Sequence, residues 1–356
     1  MTPARHSLTA TGPPLAYLAV ILAAPKGASA LPGTDWIEGD ALKDMIPHRG
    51  VNILIDSERA VRDDESQRSE SRLCIVPDDA RGRDIFLRKG SEGGDVLMEP
   101  VLAEHLALSA ICAIKPEMQP GEIAFFSVIS SFELSRELRA GERISAEAIR
   151  LRDKGRFRRF HGIVRGEDGE IAAETDVMAY TAAPEPAPER RESGKLVAPP
   201  ESGESRPVDP AAFGWKRPEM VFVQERTYLA DDMASAVLRY EYPPDHPFCA
   251  GHFPGNPVMM GITQWIAALD AAAWLLYERA GAGLVPEGST KWKADVDILR
   301  ENGAMVADVK GLVFSGAVTP EGIGPVRVEG TRRVGFRDQV RPGEAIFMRA
   351  RVAPAE

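Results

Sequence analysis

The feature that most limits what this chain can become is an order of elements told twice. Each half carries a helix-forming apolar run followed by alternating, strand-like runs, and between the halves lies a segment unable to build a core. Residues 183–213 are rich in Pro, Glu, Ser and Gly, led by Ala183-Pro184-Glu185-Pro186-Ala187-Pro188. Such composition reads as an extended tether. A chain of 356 residues suits two domains of ordinary size. The expected division is an N-terminal extension or signal segment over 1–35, a first domain over 36–182, a linker over 183–215 and a second domain over 216–356. The repeat is divergent and shows in motif and element order rather than identity.

In the first half, Asn52 to Ile55 reads as a short apolar strand after Met45-Ile46-Pro47-His48-Arg49-Gly50, with Asp56 closing it. Val101 to Ile114 is apolar on nearly all sides, the pattern of a buried helix. Ser131 to Leu134 leads to the turn Arg139-Ala140-Gly141-Glu142, and Ile144 to Leu151 and Phe157 to Val164 alternate. After the hairpin turn Gly166-Glu167-Asp168-Gly169, Ile171 to Tyr180 returns as a strand. In the second half, Val221 to Tyr228 and Ala234 to Tyr242 are candidate strands. Ile262, Trp265, Ile266, Leu269, Ala273 and Leu276 recur at helical spacing, and Gly281 and Gly283 end that helix. Val334 to Glu344 parallels Phe132 to Glu142. There the halves part. Two further strands are expected past Glu356, and an extra hairpin, Ala294 to Leu299 and Ala304 to Phe314, comes earlier instead. Its expected place is the vacant edge of the sheet.

Before the second helix stands Gly251-His252-Phe253-Pro254-Gly255-Asn256-Pro257-Val258-Met259-Met260-Gly261. This run resembles the active-site loop of the β-hydroxyacyl thioester dehydratases of fatty-acid synthesis, a hot-dog family. Only Met260 departs, where proline is the norm. Pro47-His48-Arg49 resembles the Pro-His-Arg lead-in of the same enzymes. The resemblance implies an α+β tandem double hot-dog. In each half an antiparallel sheet wraps a long central helix, and the two sheets join edge to edge as a pseudo-dimer within one chain; a further homodimer stays open. In the family, a helical Glu or Asp follows the loop histidine fourteen positions on. Here that position is Ile266, so the acid is gone. Gly90 to Glu104 fits the same frame without a gap, with the acid present as Glu104 and Gly90 at the histidine position. The family builds each site from opposite protomers. A fused pair therefore retains one complete site if His252 comes from one half and Glu104 from the other.

The reaction so implied is reversible dehydration of a 3-hydroxyacyl thioester to its trans-2-enoyl form. Removing the weakly acidic C2 proton suits a neutral histidine, and the thioester oxygen must be polarised as charge develops on it. The hydroxyl leaves poorly unless protonated, which suits a carboxylic acid whose pKa is raised by apolar walls such as Leu102 and Leu106. By the resemblance, His252 is the base, Glu104 the acid, the Gly261 N–H the oxyanion donor, and the Val258 carbonyl the group that orients the histidine. Gly251 and Phe253 belong to the substrate-binding loop. Neither a metal nor a redox cofactor is required. Two other classes stay open: a hot-dog thioesterase, in which a carboxylate activates water and free thiol is released, and a non-catalytic acyl-binding or scaffolding protein.

A net charge of −10 argues against a general nucleic-acid binder. Three scattered cysteines form neither a disulfide framework nor a zinc motif, and Cys249 reads as a small apolar loop residue. The expected partner is an acyl carrier protein or a coenzyme A thioester. Arg150, Arg152, Lys154, Arg156, Arg158 and Arg159 could attract such phosphate-bearing partners or simply be a solvated strand face. His48 reads as a turn residue and His105 as a packing residue. Asp270 stands one helical turn past Ile266 and would face Gly90. Arg5, the apolar stretch Leu15 to Ala24, and Ala28-Ser29-Ala30 have the form of a secretory signal, though Pro13-Pro14 and a single firm positive charge stand against it. That stretch is too short to span a bilayer. The expectation is cytoplasmic, with export as the alternative.

Overall fold

The computed structural model describes residues 35–62, 67–119, 122–182, 196–285 and 290–355. The stretch weighed as a signal (1–34) and the proline-rich start of the tether (183–195) lie outside these residues. In the first lobe the main strands are β1 (Ser57–Arg62), β2 (Gln67–Leu73), β3 (Ile123–Leu134), β4 (Ile144–Lys154), β5 (Phe157–Arg165) and β6 (Ile171–Ala182), with helix α1 (Pro100–Ile114) between β2 and β3. The second lobe has β7 (Glu225–Leu229), β8 (Ser235–Glu241), helix α2 (Gly261–Gly281), β9 (Lys291–Leu299), β10 (Met305–Thr319), β11 (Gly322–Thr331), β12 (Arg333–Phe336) and β13 (Ala345–Pro354).

Every side chain of α1 is buried, which is why its sequence shows no polar face. The sheet wraps this helix with β1, β2, β4, β5 and β6, and α2 is held likewise by β8, β9, β10 and β13. The strands β3 and β11–β12 join the lobes: Phe132 and Glu133 face Thr331 and Gly330, and Val128 and Ile129 face Gly335 and Val334. One continuous antiparallel sheet results, in the order β1-β2-β4-β5-β6-β3, then β11-β10-β9-β13-β8-β7, with β12 bridging β10 and β3. The chain is a tandem double hot-dog, and its two helices touch across the seam.

The extra hairpin of the second half does not sit at an edge. Strands β9 and β10 occupy the places that β5 and β6 hold in the first lobe, between β13 and β11. The two lobes thus have one spatial order and two chain orders. In the first, the seam strand follows the helix and the β5–β6 hairpin comes last. In the second, the hairpin comes first and the seam strands and β13 follow. This corrects the expectation of two strands beyond Glu356, since the missing pair is already inside the sheet.

Two further expectations change. Asn52 to Ile55 is not a strand: Gly50–Asn52 is a 3-10 turn, and the strand starts at Ser57. The Asn52 amide is fully buried and donates to the carbonyls of Arg49 (3.3 Å), which closes the turn, and Phe248 (3.2 Å), which binds the segment to the other lobe rather than to a strand neighbour. The tether is also shorter than its composition predicts. Residues 196–215 pack on the second lobe, with Leu196 bridged to Ala304, Arg206–Pro207 paired to β7, and the carbonyls of Ala198 and Pro199 accepting from the nearly buried Arg349.

Candidate active site

The loop 251–261 is seated by contacts that its residue types make possible. The Gly251 carbonyl accepts the Arg49 N–H at 3.0 Å. A Cβ on Gly251 would lie 2.0 Å from the Arg49 carbonyl oxygen, so only glycine permits this approach of the two lobes. Further on, the Val258 N–H donates to the His252 carbonyl at 2.7 Å, and the His252 Nδ1–H donates to the Val258 carbonyl at 2.9 Å. Because a carbonyl can only accept, the proton sits on Nδ1 and the Nε2 lone pair is left for other work. Phe253 stacks on the His252 ring at 4.4 Å and meets the edge of Phe125 at 6.0 Å. Gly261 is the first residue of α2, where an N–H has no intrahelical acceptor and the helix dipole is positive. A Cβ there would press on the Phe336 ring at 3.1 Å.

Across the seam, Glu104, the fifth residue of α1, brings its carboxyl to the His252 imidazole. A third group, His48, comes from the lead-in of the first lobe. The donor atoms of His48, Glu104 and His252 all lie within 4.8 Å of one another, and all three side chains are nearly buried. His48 Nε2 is 3.7 Å from Glu104 Oε1, and the His48 and His252 ring centroids are 5.0 Å apart. Burial pushes the Glu104 carboxyl up to about 7 and the His252 imidazole down to about 4, the latter against the Val258 bond, which favours the charged ring. His48 is driven well below the usual imidazole range, first by burial and then by the nearby His252 and Arg49. Burial therefore favours the neutral form of all three groups: two neutral imidazoles and a carboxyl that holds its proton well above the ordinary carboxylate range. Two imidazoles and a carboxylate are also a donor set that suits a divalent transition metal. Their spread is wider than the about 3.4 Å between neighbouring ligands of one zinc ion, so the trio would have to close up to hold it.

Sequence reasoning named His252, Glu104, Val258, Gly251, Phe253 and Gly261; the structure brings His252 and Glu104 together, with Val258 bonded to the imidazole, Phe253 stacked on it and Gly251 seated against Arg49, while Gly261 opens α2 beside Phe336. It missed His48, read as a turn residue. The signal available was the Pro-His-Arg lead-in itself, whose histidine is 3% exposed.

The other end of the seam is built differently. The turn Gly50–Asn52 has its counterpart in Pro218–Met220, and two positions before each stand His48 and Lys216. Lys216 is ion-paired with Asp270 of α2, both side chains fully buried, and the second Asp270 oxygen accepts the Phe222 N–H at 2.8 Å. The frame that begins at Gly90 folds as a hairpin, Leu87–Lys89 against Asp95–Leu97, rather than as a loop presenting a side chain. Asp270 does lie on that side, but Lys216 occupies it, and Ile266 is apolar core. His105 and Trp265 are packing residues: His105 bonds Ser71 Oγ at 2.7 Å, and Trp265 meets the Phe132 ring edge-on at 5.2 Å. The Cys249 thiol donates to the Pro243 carbonyl at 3.5 Å.

The chain is similar to the 3-hydroxyacyl-[acyl-carrier-protein] dehydratase FabZ of Bacillus cereus (strain AH820), 27% identical over 137 residues, which are 38% of this chain and 90% of that protein. It is 24% identical over 143 residues to the FabZ of Bacillus licheniformis, covering 40% of this chain and 94% of that one. The chain is a hot-dog homologue of the FabZ dehydratases. Each match spans about one lobe. No protein-family model matches. Among solved structures, the dehydratase domain from the CurF module of curacin polyketide synthase covers 79% of this chain and 97% of its own, at 12% identity and a TM-score of 0.41.

The basic cluster lies at the β4–β5 hairpin. Arg150 is held by Glu117 and Asp153, and Arg159 by Asp176, whereas Arg152, Lys154 and Arg156 are exposed near the tip. Strand register and ring contacts link this tip to Phe253. Phe157 faces Tyr180, Tyr180 faces Phe125, and the Phe125 ring touches Phe253. No helix of the described residues is long and apolar enough to cross a membrane.

Proposed function

We propose that this chain dehydrates a 3-hydroxyacyl thioester through one composite site between its lobes. The observation that carries the reading is the meeting, in one buried cluster, of a neutral imidazole from the second lobe with a carboxyl of raised pKa from the first. His252 takes the C2 proton on Nε2, its Nδ1–H staying on the Val258 carbonyl. Charge developing on the thioester oxygen is met by the Gly261 N–H at the positive end of α2. The C2–H electron pair becomes the C2=C3 bond, the C3–O pair leaves with oxygen, and Glu104 supplies the proton that turns the hydroxyl into water. Phe253 and Gly251 hold the loop against the first lobe. The acyl group arrives on a phosphopantetheine arm, from an acidic carrier protein or coenzyme A, and exposed Arg152, Lys154 and Arg156 are the cations that would attract it.

The raised pKa of Glu104 weighs against the thioesterase alternative, in which the carboxyl must be ionised to activate water. A single assay separates the readings. With 3-hydroxybutyryl-pantetheine, a dehydratase forms conjugated enoyl thioester without free thiol, a thioesterase releases thiol, and a binding protein does neither. Thiol release at the rate expected for turnover, or no product at all, would overturn the proposal.

A further inference from the structure

A buried imidazole with no partner on either ring nitrogen is an unstable arrangement unless something else is meant to occupy it. Buried polar groups are paired as a rule, and an exception points to a ligand or a catalytic role. His48 is such an exception: it is 3% exposed, and neither Nδ1 nor Nε2 has a hydrogen-bond partner. The ring is not a loose turn residue. Its backbone is held on both sides, since the His48 carbonyl accepts from the Arg49 guanidinium at 2.7 Å and the Arg49 N–H donates across the seam to Gly251. Aromatic contacts fix the plane: Phe253 stands edge-on at 5.3 Å and His252 is tilted at 5.0 Å. A packing role alone would be served better by an apolar ring.

The gap between His48 Nε2 and Glu104 Oε1 is 3.7 Å. That is too long for a direct hydrogen bond, yet one oxygen can lie about 2.8 Å from both atoms, at the apex of a triangle over the gap. We propose that His48 is a third substrate-contacting residue of the site, and that the oxygen it shares with Glu104 is the 3-hydroxyl of the substrate. This rests on the dehydratase reading and deepens it, because it names the group that selects a 3-hydroxyacyl chain over the saturated acyl chain. A hydroxyl has one hydrogen to give and two lone pairs. Seated there, it donates to His48 Nε2 and accepts the Glu104 O–H. When the C3–O bond breaks, the oxygen keeps its own hydrogen on His48, gains the Glu104 proton, and departs as water.

The test uses the full chain and two pantetheine amides that cannot eliminate or hydrolyse, one bearing 3-hydroxybutyrate and one butyrate. Calorimetry on the unaltered protein is expected to show the hydroxylated amide binding about tenfold tighter, the scale of one net hydrogen bond. In His48→Phe, which keeps an aromatic ring and removes both nitrogens, the hydroxylated amide loses most of that advantage while butyryl amide affinity holds. His48→Gln, which keeps polar atoms at the ring's reach, restores part of it. The enoyl-forming rate on 3-hydroxybutyryl-pantetheine falls in the same order. A folded His48→Phe that still prefers the hydroxylated amide tenfold would overturn the assignment, as would equal affinities in the unaltered protein. If His48→Phe does not fold, His48→Gln is expected to keep part of the rate and of the preference, and a folded His48→Ala retaining both in full would overturn the assignment. Failure of the underlying reading looks different: the unaltered protein then forms no enoyl product, whatever its binding preference.

Discussion

The two ends of the seam start from one frame and finish with opposite electrostatics. At one end, His48, Glu104 and His252 cluster with the His48 nitrogens left unpaired and pKa values pushed toward neutral species. At the other, Lys216 and Asp270 close on each other, and the Phe222 N–H takes the remaining carboxylate oxygen. The second arrangement is saturated. A buried charge with its partner and hydrogen bonds in place has no reason to engage a ligand, and removing either member strands the other. The first arrangement is unsaturated: both ring nitrogens of His48 are buried without a partner, a cost that binding of a hydroxyl would offset. One frame is thus left open at one end and closed by an ion pair at the other.

The sharpest way to test that contrast is to remove the open end's chemistry. His252→Asn and Glu104→Gln are each expected to lower the enoyl-forming rate by at least ~10³-fold with little change in melting temperature, within the range for a general base or acid. Unchanged turnover in either would end the composite-site mechanism. At the closed end the sign reverses: Asp270→Ala should cost roughly 3–5 kcal/mol of stability by leaving Lys216 buried and unpaired. Activity per folded molecule should hold. Chemical denaturation and active-site titration measure the two quantities, and a stable but inactive Asp270→Ala would mean that this end still takes part in catalysis.

The pH profile gives a smaller, graded effect. Activity requires neutral His252 and protonated Glu104. With the imidazole lowered to about 4 and the carboxyl raised to about 7, the rate on substrate-limited turnover should be flat between those values. It should fall about tenfold per pH unit above the Glu104 limb, as the carboxyl loses its proton, and likewise below the His252 limb, as the ring gains one. An alkaline limb that persists unchanged in the residual activity of Glu104→Gln would assign it to another group. Smallest of all is the effect of rebuilding the lost site. Gly90→His with Ile266→Glu should add no activity to a His252→Asn background. A Cβ at Gly90 meets Val96 at 2.9 Å, the surrounding chain is a hairpin, and Lys216 fills the place that His48 holds opposite. Recovery of turnover would show that the closed end is only dormant.

Some elements were legible before any coordinates and others were not, for reasons that can be named. Helix α1 announces itself because every one of its positions is core, and β4, β5 and β6 because they alternate between a buried and a wet face. Strands β1 and β2 were invisible. Their sequences, Ser-Glu-Arg-Ala-Val-Arg and Gln-Arg-Ser-Glu-Ser-Arg-Leu, place polar residues on the inward face, where Ser69 pairs with Ser109 at 3.2 Å and Ser71 with His105. Hydrophobic periodicity cannot find a strand whose buried side is polar. The β9–β10 hairpin was found but misplaced, because local pattern specifies that two strands pair and says nothing of which gap in a sheet they fill.

What the residues alone made legible was local and chemical. The loop from Gly251 to Gly261 and the acid at Glu104 could be matched to roles because those roles depend on residue type at short spacing. Only the tertiary structure could decide that His48 completes the group and that Lys216 closes the opposite end. Both come from lead-in segments far along the chain from the residues they face, and their contacts arise from the rotation relating the two lobes. A side chain's burial, and hence its pKa and its need for a partner, is a property of everything packed around it and of no window of sequence.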